Sequence, residues 1–249
     1  MTANAERAAR RELAACYQLF DRIGWAEGMF NPITVRVPAP PSGGPNYLIN
    51  PSGFHCCEVT PDNLVRVDPN GHDVGTSGYC IDTAGFVIHA AIHAARHDAN
   101  CVMQVRTIAG CAVSCKESGL RHDNFYSAML MGAVRYHDWE SMKTGVGDGA
   151  RIVASLGSAS HLILRNHGLL VVGSTLPQAF KRLWTLQRAC EVQLASDAGA
   201  GTNRAIAPAV LERVPATRAG MQEKGKRDND ELLFDAMVRR HGIAFRRDN

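Results

Sequence analysis

Residues 161–180 read HLILRNHGLLVVGSTLPQAF. Two apolar runs, HLIL and LLVV, flank the polar tetrapeptide Arg165-Asn166-His167-Gly168, and from Thr175 onward apolar residues recur at helical intervals. Short apolar runs bounded by turn signals have the length of buried strands, whereas the long 3.6-period stretch is that of a helix. The segment therefore reads strand, tight turn, strand, helix. Gly168 relieves the backbone at the turn, and Thr175 caps the helix with Gln178 three residues on. A histidine held at such a break can serve as a metal ligand, as a general acid or base, or as a capped structural group.

Upstream, residues 99–113 read ANCVMQVRTIAGCAV. Cys101–Val105 reads as a buried strand, and Gln104 and Arg106, two residues apart, point to the same side of it. The strand thus aims an amide and a guanidinium at one place. Before it, TAGFVIHAAIHAAR (83–96) has helical spacing, with His89, His93 and His97 near one face. Their alanine-rich surroundings favour interior or interface histidines over a zinc pair. The N-terminal residues 5–23 carry Leu13, Cys16, Leu19, Phe20 and Ile23 as an amphipathic helix. NPITVRVP and NYLINPSG read as strands joined by the turn-rich APPSGGP; with VTPDNLVRVDPNGHDVG they make 31–75 an antiparallel patch. Further helices are predicted near 107–118, 123–131 and 147–156, a strand at 133–138, and the long helix from Thr175 to about Ala198.

The chain has 249 residues, 45% hydrophobic and 20% charged, enough for one full core. Its formal net charge of +3 is spread along the sequence apart from the basic tail, which argues against nucleic acid as a partner. No window approaches the ~18 apolar residues of a membrane span, and the charged opening lacks a secretion signal, so we expect a cytoplasmic protein with no membrane partner. Eight cysteines, at 16, 56, 57, 80, 101, 111, 115 and 190, form no Cys-x-x-Cys pair and read as reduced, mostly buried thiols. We divide the chain into a domain over 1–200 and a C-terminal arm over 201–249, extended except for a short helix at 229–240.

RRELAACYQLFDRIGW, NPITVRVP, INPSGF, LVRVDPNG, HAAIHAARHDANCV and LILRNHGLLVVGSTLPQAF, in this order and spacing, resemble the class II aldolase and adducin-head family from roughly Arg10 to Gly199. The resemblance implies a three-layer α/β/α domain with a mixed, largely antiparallel central sheet, assembled as a homotetramer with sites between subunits. In aldolases of that family a divalent metal, commonly zinc, sits on a His-x-His pair plus the histidine of the Asn-His-Gly turn. It polarises a carbonyl, while a glutamate four residues before a helical histidine moves protons. Carried onto this sequence, the turn histidine is His167 and the helical one His89. The His-x-His pair falls on Gln104 and Arg106, and the glutamate on Gly85. The zinc is therefore expected to be lost, leaving no cofactor.

By the same resemblance Asn31 and Thr34 match a substrate loop, with Phe30 where a glycine is usual. Ser52 and Gly53 match a Pro-Ser-Gly turn whose backbone can cradle an anion. Thr83 matches the first hydroxyl of Ser-Ser-Glu, followed here by Ala84 and Gly85. Tyr126 falls near a tyrosine that some aldolases use as proton donor, with a buried aromatic as its alternative role. The expected catalytic set is His167, Arg106, Gln104 and Tyr126; the expected substrate contacts are Asn31, Thr34, Ser52, Gly53, Thr83 and His89.

Three functions stay open. The first is a metal-independent enzyme on a small, anionic carbonyl or carboxylate substrate, by C–C lyase, decarboxylase, or isomerase and cyclase chemistry. There Arg106 would grip a carboxylate, Gln104 would hydrogen-bond an enol and His167 would move a proton. The second is an adducin-like pseudoenzyme or binding module. Retention of Asn31, Ser52 and His167 favours the enzyme. The third is a metal-dependent lyase with a rearranged site. For Arg106 the competing role is an ion pair with Glu27 or Asp82.

Overall fold

The computed structural model describes residues 2–38, 44–140, 147–222 and 228–247; most of the APPSGGP turn, residues 39–43, lies outside them. Seven strands form one sheet: β1 (Ile33–Val37), β2 (Asn46–Ile49), β3 (Val65–Val67), β4 (Cys101–Val105), β5 (Val134–His137), β6 (His161–Leu164) and β7 (Gly168–Gly173). Their order is β3-β2-β1-β4-β7-β6-β5. Only β5 and β6 run parallel; the other pairings are antiparallel. The sheet is mixed and largely antiparallel, and the fold is α/β, as the resemblance implies.

Strand alternation sorts the side chains into two apolar layers. Met103, Val105, Ile163, Leu169 and Val171 face α1 (Thr2–Arg22), α3 (Ile108–Ser114) and α6 (Leu176–Ala198). Val102, Leu162, Leu164, Leu170 and Val172 face α2 (Thr83–Ala95) and α5 (Asp148–Leu156). Because the period is two, Gln104 belongs to the α2 side, and the end of β4 delivers it there. The predicted cap of α6 forms: the Thr175 hydroxyl accepts from Gln178 N–H at 3.2 Å. The returning arm lands one residue earlier, with the Gln178 amide oxygen accepting from Ser174 N–H at 3.0 Å.

A short α4 (Phe125–Met129) lies against α6. Beyond Gly199 the chain is more helical than the expected extended arm: α7 (Pro208–Leu211) and α8 (Val214–Gln222) precede α9 (Asn229–Arg240). Pro208 and Pro215 stand at the first and second positions of these helices, where a missing N–H costs nothing. On α9, Phe234 is fully buried and meets Phe180 of α6 edge-on at 5.5 Å, so this helix completes the main core. His97 departs from the predicted helical face, because α2 ends at Ala95 and Arg96 turns extended, leaving His97 exposed. All eight cysteines are free, and Cys16, Cys56, Cys101 and Cys190 are buried as expected, whereas Cys57, Cys80 and Cys115 are exposed. Among the described residues, no helix is long and apolar enough to cross a membrane.

The turn between β6 and β7 is shaped by two backbone constraints. Asn166 adopts a left-handed φ of 57°. A Cβ on Gly168 would stand 2.3 Å from the Val105 carbonyl oxygen, closer than any real contact. Replacing Gly168 by Ala should therefore lower the unfolding free energy by at least ~2 kcal/mol. Asn166→Gly, which keeps the left-handed turn open, should stay within ~1 kcal/mol of the parent. Urea denaturation of both variants measures the contrast, and equal stability would contradict the close approach.

Candidate active site

His167 enters from the turn, whose N–H donates to Leu164 C=O at 3.1 Å. Gln104 and Arg106 enter from the end of β4. The next residue, Thr107, caps α3 by accepting from Gly110 N–H at 3.1 Å and donates to the Gln187 side chain on α6 at 2.6 Å. Arg106 is thus the last residue before a doubly anchored corner.

The three side chains meet at one atom. Arg106 Nε donates to His167 Nε2 at 2.9 Å, and the Gln104 amide nitrogen lies 3.2 Å from the same Nε2. A guanidinium only donates, so Nε2 must accept and the ring proton must sit on Nδ1. The Gln104 contact is then a second donation into the same nitrogen. Arg106 also donates through Nη1 to the Phe30 carbonyl at 2.6 Å. Among the described residues no carboxylate pairs directly with Arg106; Glu27 and Asp82 act on it only through space.

Burial first, and the Arg106 charge second, push the His167 pKa down to about 4, so the ring is neutral at pH 7. Burial lowers the Arg106 pKa as well, with Cys111, Asp82 and Glu27 acting in the opposite direction; the group remains a cation. This arrangement does not fit the zinc that the resemblance implies. Such a site needs neutral or anionic donors with free lone pairs. Here one position is a permanent cation, one an amide, and the remaining nitrogen already accepts two hydrogen bonds.

An open cavity of about 380 Å³ exposes this trio. Asp82, Ala84, Gly85 and Ile88 of α2 and its cap line one side, and His137, Trp139, Glu140 and Arg165 line another. The Asp82 carboxylate is engaged in capping α2, accepting from Ala84 N–H at 3.2 Å and Gly85 N–H at 3.3 Å. Glu140 pairs with Arg151, whose hydrogen bond holds the Glu140 pKa below the usual carboxylate range. The 137–140 wall was not singled out from sequence. It arrives because β5 lies parallel to β6, with His137 beside Leu164, a pairing no local motif announces.

The remaining predicted site residues do not line this cavity. Asn31 is buried and ties its own loop, donating to the Trp25 carbonyl at 3.1 Å and accepting from Glu27 N–H at 2.6 Å. Thr34 is buried between two histidines, 2.8 Å from His89 Nδ1 and 2.8 Å from His93 Nε2. Burial pushes His89 and His93 down to about 3. Ser52 and Gly53 form an exposed turn, with Ser52 N–H donating to the Cys80 carbonyl at 2.8 Å and Gly53 at φ +85°. Thr83 is exposed at the start of α2, and Tyr126 on α4 packs against the main core and Phe125.

The family model of the class II aldolase and adducin N-terminal domain matches residues 11–194. An aldolase II superfamily protein from Pseudomonas syringae shares 35% identity and a TM-score of 0.88, over 95% of this chain and 93% of that one. L-fuculose 1-phosphate aldolase from Glaciozyma antarctica PI12 shares 27% identity and a TM-score of 0.79, over 97% and 93%. Beta-adducin of Homo sapiens is 36% identical over 202 residues, 80% of this chain but 27% of the adducin.

The two causes of the His167 shift can be separated. Removing the guanidinium in Arg106→Ala removes the charge but leaves much of the burial, so the midpoint should rise from about 4 towards, without reaching, the ordinary 6.5. An NMR titration of the His167 ring reads this directly. An unmoved or lowered midpoint would contradict the contact.

Proposed function

This chain belongs to the class II aldolase and adducin family, and from that membership we propose that it is a lyase-type enzyme. It would act on a small anionic carbonyl or carboxylate substrate in the Gln104–Arg106–His167 cavity, with no metal at that position. The observation that carries the reading is the pair of donors converging on His167 Nε2. They occupy the lone pair a metal would need, yet leave it recoverable.

In the proposed cycle, a substrate carboxylate or oxyanion binds the Arg106 guanidinium, whose planar fork suits it. Competition for Arg106 Nε loosens its hold on His167, and the bound negative charge offsets the guanidinium that depresses the imidazole. Both changes make Nε2 a better base. Nε2 can then take a proton from the substrate and return it, while the Gln104 amide donates to the oxygen on which charge develops. One guanidinium stabilises that charge less than a dication, so the substrate must be acidic or already activated.

A binding module, as in the adducin branch, is the second reading. Its support is that the His167 midpoint of about 4 makes a weak base at pH 7 until something offsets Arg106. A panel of 2-oxo acids, hydroxy acids and sugar phosphates, screened first by thermal shift and then for product, separates the two. The enzyme reading expects a ligand that is turned over, with His167→Ala lowering kcat by ~10²–10⁴-fold and Arg106→Ala raising KM. A ligand bound without turnover selects the binding module. Arg106→Ala leaving both turnover and affinity intact would refute the anion-binding role.

We also infer a homotetramer. Its support is the family resemblance together with exposed apolar side chains beside the site: Phe30, whose carbonyl holds Arg106; Ile108, two residues beyond it; and Trp139 on the cavity wall. Light scattering at micromolar concentration should return about four chain masses. A monomer would contradict the assembly.

A further inference from the structure

We propose that Asp21, His55 and Cys57 form a binding site for zinc or a zinc-like divalent cation, joining the end of α1 to the turn at 55–58. None of the three lines the cavity around His167, and the proposal is independent of the function given to that cavity. Among the described residues, no other three His, Cys, Asp or Glu side chains bring their donor atoms within 4.8 Å of one another.

Two of the three separations are those of a coordination shell, and the third lies within 4.8 Å. His55 Nδ1 lies 3.4 Å from an Asp21 carboxylate oxygen and 3.3 Å from Cys57 Sγ. Bonds of ~2.0–2.3 Å to zinc in a tetrahedral arrangement place neighbouring donors roughly 3.3–3.8 Å apart. Without a cation Nδ1 serves one neighbour at a time: a neutral Nδ1 either carries a proton and donates to Asp21, or carries a lone pair and accepts from the Cys57 thiol. A divalent cation takes the imidazole lone pair, the carboxylate and the sulfur together. On binding, the thiol proton leaves to solvent.

Asp21 adds a second reason. It sits in the last turn of α1 beside Arg22, where the carbonyl ends of the helix make the local potential negative, so a bound cation adds to the compensation that Arg22 gives there. The turn is already held: Glu58 N–H donates to the His55 carbonyl at 2.9 Å, His55 N–H donates to the Glu58 carboxylate at 2.8 Å, and Cys56 is buried beneath. Ligand order is therefore partly established before metal arrives. A carboxylate, an imidazole and a thiolate suit zinc or cobalt rather than magnesium or calcium. The exposure of Cys57 and His55 leaves a fourth position for water.

The test uses the full chain, stripped with EDTA and titrated with Co²⁺. One equivalent should produce a thiolate-to-cobalt charge-transfer band with tetrahedral-type visible absorption, bleached by equimolar Zn²⁺. The band should be lost in Cys57→Ser, lost or weakened in Asp21→Asn, and retained in His167→Ala. Cys57 is exposed and Asp21→Asn keeps the shape of its side chain, so folding should not obscure either result. No charge-transfer band in the parent chain would overturn the proposal. So would a band that survives in Cys57→Ser, or one that disappears only in His167→Ala.

Discussion

The close approach of Gly168 to the end of β4 is the constraint on which the site depends. β4 and β7 pair in register through Val105 and Leu169, so the residue before Leu169 must pass over the Val105 carbonyl. Only a residue without a Cβ can do so at the distance observed. That passage sets His167 down beside Gln104 and Arg106. A second glycine works alongside it: Gly110 of α3 faces Leu169, with room for no more than a hydrogen at its Cα. The start of α3 therefore packs directly on β7. Thr107, between Arg106 and that helix, is bonded to both α3 and α6. Arg106 consequently has fixed backbone on each side, which places its side chain within reach of His167.

Much of this architecture was legible because it is periodic. The strands at 101–105, 161–164 and 168–173 alternate or run apolar over their whole length, and the long helix announces itself by its cap and stripe. Gln104 and Arg106 could be placed together because their side chains share one strand face, and the family resemblance put the turn histidine, His167, beside them. The roles of Asn31 and Thr34 could not be read in the same way. A motif records which residue types occur at a loop, whereas their hydrogen-bond partners, the Trp25 carbonyl and the two histidines of α2, are fixed by packing between elements. The Asp21–His55–Cys57 cluster was illegible for a related reason: one member lies more than thirty positions from the others, and nothing local marks α1 as ending against the 55–58 turn.

The α2 histidines show how much protonation follows from geometry once partners are known. His93 Nδ1 faces the Ala99 carbonyl at 2.6 Å and must donate to it, so His93 Nε2 accepts. The Thr34 hydroxyl supplies that proton, which leaves its oxygen to accept from His89 Nδ1. Every proton in the chain from His89 to Ala99 is then assigned, and both rings are neutral. The run ends at His89 Nε2, a buried lone pair with no partner among the described residues. Each link is worth only ~1 kcal/mol net, but an unmade one would leave a buried polar atom at a cost of about 1–3 kcal/mol. The network therefore fixes α2 on β1 by specificity as much as by strength. α2 in turn supplies one wall of the cavity.

On the proposed metal-free reading, a guanidinium where a metal would stand changes what the turn histidine can do, not the tautomer it adopts. A cation coordinated at Nε2 and an Arg106 N–H pointing at Nε2 both occupy the same lone pair, and both leave the proton on Nδ1. Both also suppress protonation of the ring. The difference is in release. A coordinate bond in a three-ligand shell holds the nitrogen as a permanent ligand, whereas a hydrogen bond from a half-buried guanidinium can be exchanged for one to an incoming anion at little net cost, since a charged donor prefers a charged acceptor. On the proposed reading the ligand that binds Arg106 is also the agent that frees His167, so affinity and basicity rise in the same step. A neutral molecule of the same shape would leave the nitrogen covered, which makes negative charge on the substrate a condition of reactivity as well as of binding.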